Sequence, residues 1–122
     1  MKTYLVLEGA LNVKSDAQTL MDLGQLTLKY LAPVKMMKNA EGQTTLVAVE
    51  EAICPGEEEA FLHFLYDVGQ TMPGQVVGEF EVWWPMCIVV GPQWWKLNEA
   101  GQLTIQESDI VRGEEKPYEV SQ

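Results

Sequence analysis

One stretch, residues 78–97 (GEFEVWWPMCIVVGPQWWKL), limits what this chain can fold into more than any other. It holds all four tryptophans, as the neighbours Trp83 and Trp84 and the neighbours Trp94 and Trp95, around the apolar run Pro85-Met86-Cys87-Ile88-Val89-Val90. Lys96 is the sole charge between Val82 and Asn98. An indole carries a large apolar surface and seeks a partner for its N–H. Such a stretch has to be covered by the domain's own core, by a second subunit or by a ligand. The functional question turns on which.

A period of two divides the stretch. Over residues 75–84, Val76, Gly78, Phe80, Val82 and Trp84 share one face, while Val77, Glu79, Glu81 and Trp83 share the other. The first set reads as core, which leaves Trp83 outside it beside two carboxylates. Pro85 ends or bulges this strand. Residues 86–90 read as a further short strand, and residues 94–97 and 103–107 as a hairpin around 98–102. Because Trp94 and Trp95 are adjacent, one of them must face away from the core.

The preceding chain supplies the rest of the sheet and two helices. Residues 3–13 alternate as a strand, with Leu5, Leu7, Leu11 and Val13 on one face. Ser15, with Gln18 three residues on, gives a capping-box pattern that opens a helix over 16–31. Its apolar arc reads Ala17, Leu20, Met21, Leu28 and Leu31, with Gln18, Asp22, Gln25 and Lys29 opposite. Gly24 lies inside that arc, where it costs about 1 kcal/mol against a good helix former. A close backbone approach is the expected reason. Residues 34–38 and 44–53 read as a hairpin, and Pro55-Gly56 closes it. Three glutamates from Glu57 then start a second helix, with Phe61, Phe64, Leu65, Val68 and Met72 inward and Gly69 near that arc. Residues 113–122 are mostly polar and read as a loose tail.

The element order is β-α-β-β-α-β plus an extra strand and a hairpin. It predicts a single α+β domain over residues 1–112, followed by the polar tail 113–122. The arrangement expected is the ferredoxin-like one, an antiparallel sheet with two helices on one face. Element order alone carries that expectation, and no family motif accompanies it.

Charge narrows the partners. Eighteen acids against eight bases give a formal net charge of -10. A chain so acidic is a poor match for nucleic acid or an anionic membrane surface, and suits a basic protein partner or a cationic ligand. The apolar run after Met1-Lys2 ends at Glu8, too early for a secretory segment. Cys54 and Cys87 have neither metal nor redox spacing, so a cytoplasmic chain with free thiols is expected.

Catalytic patterns are sparse. His63 is the one histidine, with Glu59 and Asp67 at i−4 and i+4. Two carboxylates would tune it as a general base, yet no nucleophile is placed beside it, and an ordinary charged helix face explains the same spacing. Cys87 sits among apolar neighbours and reads as a core residue. Glu79 and Glu81, with Glu8, Glu50 and Glu51 from strands expected to pair nearby, would suit a divalent cation, a cationic ligand or a basic surface. They also suit a plain solvated sheet face. No catalytic, cofactor or metal motif emerges, so no cofactor and no metal are expected.

The reading is a non-enzymatic acidic interaction protein that works through protein–protein contacts, as a homodimer or with a basic partner. One alternative is a binder of a small apolar or cationic molecule, using an aromatic cavity in a dimeric ferredoxin-like fold. Another is a structural subunit of an assembly. The residues expected to meet a ligand or partner are Trp83, Trp95, Tyr66, Tyr4, Glu79 and Glu81.

Overall fold

The computed structural model describes residues 5–48, 52–53, 57–84, 92–108 and 112–120. In chain order the elements are β1 (Leu5–Val13), α1 (Ala17–Tyr30), β2 (Val34–Lys38), β3 (Thr44–Ala48), β4 (Ala52–Ile53), α2 (Glu58–Thr71), β5 (Val76–Trp83), β6 (Gln93–Leu97), β7 (Leu103–Ser108) and β8 (Arg112–Pro117). Seven strands lie side by side as β2-β3-β1-β5-β6-β7-β8, and the short β4 also pairs with β1. All neighbours run antiparallel. The fold is α+β. Its sheet is wider than the simple ferredoxin-like order, because β6, β7 and β8 extend it beyond β5.

Two sequence expectations change here. The short strand expected at 86–90 lies outside the described residues. Part of the expected loose tail, Arg112–Pro117, is instead the edge strand β8, with Thr104 opposite Pro117 and Gln106 opposite Glu115. Its polar side chains give no hint of this, since an exposed edge strand is held through its backbone. Just beyond it the Tyr118 N–H donates to the Leu103 carbonyl at 2.8 Å.

Helix α2 seals the core. Phe61, Phe64, Leu65, Val68 and Met72 are buried against the sheet. The Phe61 ring lies 5.9 Å from Phe80 and 6.1 Å from Trp95. Gly69 faces the β6–β7 turn, where a Cβ would fall inside 3.0 Å of both the Gly101 carbonyl oxygen and Leu97. Glycine lets the helix backbone rest directly on that turn.

Helix α1 is oriented otherwise than its main apolar arc suggests. Asp16, not Ser15, is the N-cap, accepting from the Thr19 N–H and hydroxyl at 2.9 Å each. Those bonds hold the Asp16 carboxyl below its ordinary pKa. Ser15 instead bonds Thr44 through their hydroxyls at 2.7 Å. Thr19 and Leu23 are buried and Leu26 and Tyr30 pack beside them, whereas Met21, Leu28 and Leu31 are 58%, 75% and 84% exposed. The cause is Tyr30. Its hydroxyl donates to Asp67 of α2 and its ring meets Phe64 edge-on at 6.1 Å. Burying Met21 and Leu28 would turn Tyr30 away from both. Gly24 therefore looks outward with nothing within 4 Å of a Cβ position, and the close approach expected there does not exist.

The end of α1 has a second oddity. Leu31 caps it in the left-handed conformation, φ 50 and ψ 42. Glycine usually holds this position, and a side chain there costs about 1–2 kcal/mol. A strained backbone thus presents an exposed leucine.

Candidate functional site

Both helices cover one face of the sheet, so the side chains that alternate away from them form a second face over which no described element packs. Register fixes its composition. Across the central pair β1 and β5, Val6 faces Trp83, Glu8 faces Glu81 and Ala10 faces Glu79. Across β5 and β6, Glu81 faces Trp94 and Glu79 faces Lys96. Trp94 then faces Gln106, and Lys96 faces Thr104. The Lys96 ammonium reaches over β7 to Glu115 at 3.2 Å. Two indoles and three glutamates thus gather at the middle of an uncovered sheet.

The central feature of this face is Glu8 opposite Glu81. Like charges directly across an antiparallel pair repel each other and destabilise the sheet. Among the described residues no ion pair compensates either one. Glu8 is exposed, while Glu81, Glu79, Trp83 and Trp94 are half-buried among their neighbours. A cation placed between the carboxylates would lie beside the indole of Trp94, and an aromatic face attracts a cation further. No group of three or more carboxylate, thiol or imidazole ligands among the described residues could hold a metal ion. A site of this kind fits an organic cation that brings its own hydrogen-bond donors.

The residues named from sequence divide among three places. Trp83, Glu79 and Glu81 stand together on the uncovered face. Trp95 does not join them. It is 2% exposed in the core, where its N–H donates to Gln93 at 3.0 Å. Trp94 is the outward member of the pair. Tyr66 lies on α2, on the helix side of the sheet, with its ring 6.2 Å from Tyr118. Tyr4 lies outside the described residues, as do Glu50, Glu51, Cys54 and Cys87. Glu8 and Trp94 were the residues of this face that belonged on the list. Strand alternation gives the face of Glu8, whereas Trp94 needed the β5–β6 register.

His63 stands apart from this face. Its Nε2 lies 4.0 Å from Glu59, and the Tyr118 ring covers it edge-on at 5.9 Å. That nitrogen is buried without a hydrogen-bond partner among the described residues. Asp67, the other carboxylate at helical spacing, turns to Tyr30 and Lys29 on α1. Burial and Glu59 push the Tyr118 hydroxyl above its ordinary pKa. The surroundings are an aromatic corner that fastens the C-terminal segment to α2.

A recess of about 500 Å³ opens at the end of the sheet where α1 begins, lined in part by Asn12, Lys14, Ser15, Gln43, Thr44 and Glu99. These side chains are polar, unlike the aromatic cavity expected for an apolar ligand. No helix among the described residues is long and apolar enough to cross a membrane. Comparison with protein-family models, with curated proteins and with solved structures finds no match.

Proposed function

We propose that this chain is a non-enzymatic interaction domain that takes a basic protein segment on the uncovered face of its sheet. One observation carries the reading: Glu8 and Glu81 oppose each other on the central strands, next to Glu79, Trp83 and Trp94. A lysine or arginine laid between the carboxylates relieves their repulsion and rests its charge against an indole. The net charge of -10 draws such a partner in from a distance. A ferredoxin-like origin for the first half of the fold belongs to the same reading, supported by the antiparallel order β2-β3-β1-β5 with both helices on one face. So does a cytoplasmic location, supported by two cysteines outside any metal or redox spacing.

Titration with an arginine- and lysine-rich peptide, followed by tryptophan fluorescence, tests the proposal. Binding should weaken steeply as salt is added. The Glu81→Gln variant should lose about tenfold in affinity, the scale of one charge-assisted contact. Equal binding of the parent and of Glu81→Gln, or affinity indifferent to salt, overturns the reading.

A further inference from the structure

The outward face of α1 has no role in the core or in the sheet face just described. Along it lie Ala17, Met21, Gly24, Leu28 and Leu31, one apolar stripe at helical spacing. Met21, Leu28 and Leu31 are the three most exposed large apolar side chains among the described residues. The backbone strain at Leu31 keeps a leucine where glycine would relax the chain. Above Gly24, at mid-stripe, is open space.

We propose that this stripe is a self-association surface, on which two copies of the chain pack α1 against α1, antiparallel, about a two-fold axis at Gly24 and Gln25. Charge selects a second copy as the occupant. The protein carries -10 overall, so most of its surface would repel another copy, yet α1 contains one acid, Asp22, and one base, Lys29. These two lie on the same flank of the stripe, a turn on either side of the axis. Antiparallel packing brings Asp22 of each copy towards Lys29 of the other. The same symmetry sets Met21 of one copy against Leu28 of the other, and a two-fold contact needs such self-complementarity. Gly24, lacking a side chain, lets the helices cross closely.

The inference does not depend on the reading of the sheet face, but it has a consequence for it. Packing through the helix layers leaves both uncovered faces pointing outward, so a dimer presents two of them, and a repetitive basic partner would be held by avidity.

Sedimentation of the full chain across the micromolar range provides the test. The parent should run at twice 13.7 kDa. Leu28→Glu should run as a monomer with an unchanged circular dichroism spectrum, because that side chain is exposed within one copy. Lys29→Asp and Asp22→Lys should each weaken association at least tenfold, and the double variant carrying both should restore it. Gln25→Cys should form a disulfide-linked pair under oxidation in excess of any formed by the parent. A parent that stays monomeric, a Leu28→Glu variant that still pairs, or a double variant that fails to recover overturns the proposal.

Discussion

Helices α1 and α2 are each 14 residues long and each carries a glycine in its second half or at its middle, but they do opposite things with their apolar surface. Five residues of α2 are buried, Gly69 among them, and its glycine is wedged against the backbone of the Gly101 turn. Two residues of α1 are buried, and its glycine faces empty space. One helix is therefore a core element, and the other is a shell element with apolar surface to spare. The difference shows that an apolar arc identifies a surface to be covered without saying what covers it.

The largest effect expected from this comparison is in the side chains. Phe64→Ala should cost about 3–5 kcal/mol of stability, as for other fully buried aromatics. Leu28→Ala, at the same end of α1, should stay within about 0.5 kcal/mol in dilute monomeric protein. Urea unfolding of both variants measures the contrast, and similar losses would mean that α1 is buried in the isolated chain.

Next come the glycines. Gly69→Ala forces a Cβ against a carbonyl of the Gly101 turn and should destabilise by about 1–3 kcal/mol. Gly24→Ala meets no neighbour and should stabilise by about 1 kcal/mol through helix propensity. Opposite signs in thermal melts are the expected result. If the helices pair as proposed, Gly24→Ala should also weaken association while stabilising the single chain.

The smallest effect concerns the link between the two helices. The hydrogen bond to Asp67, followed by burial, pushes the Tyr30 hydroxyl up to about 12. Its ordinary value in the unfolded chain is about 10. Stability from this proton is therefore complete below pH 10 and lost as pH rises from 10 towards 12. Tyr30→Phe should cost about 1 kcal/mol at neutral pH. It should also flatten the alkaline decline of the urea midpoint over that interval. An unchanged alkaline profile would show that Tyr30 does not bind α1 to α2.

Much of the fold was legible where the side-chain period was unambiguous. Strict alternation in β5 set Phe80 and Val82 inward and Glu79, Glu81 and Trp83 outward before any pairing was known. Turn residues marked the β6–β7 hairpin, and the Phe61–Met72 arc marked the buried face of α2. Alternation failed for adjacent indoles, since a strand with Trp94 in and Trp95 out satisfies the pattern as well as the reverse. Pairing decided it, by setting Trp95 opposite the buried Phe80. For α1 the difficulty was two apolar arcs on one helix. Ala17, Met21, Leu28 and Leu31 form one, while Leu23, Leu26 and Tyr30 form the other.

By itself, then, the sequence determined a single acidic α+β chain, the inward residues of β1, β5 and α2, and two carboxylates beside Trp83. Those features follow from local periodicity and charge, which need no partner to be read. Only the tertiary structure decided that Glu8 opposes Glu81, that Trp94 shares their face while Trp95 does not, that residues 112–117 add a strand, and that α1 turns its larger apolar stripe outward. Each of these depends on contacts between segments distant in sequence: strand register for the first three, and the reach of Tyr30 to Asp67 for the last.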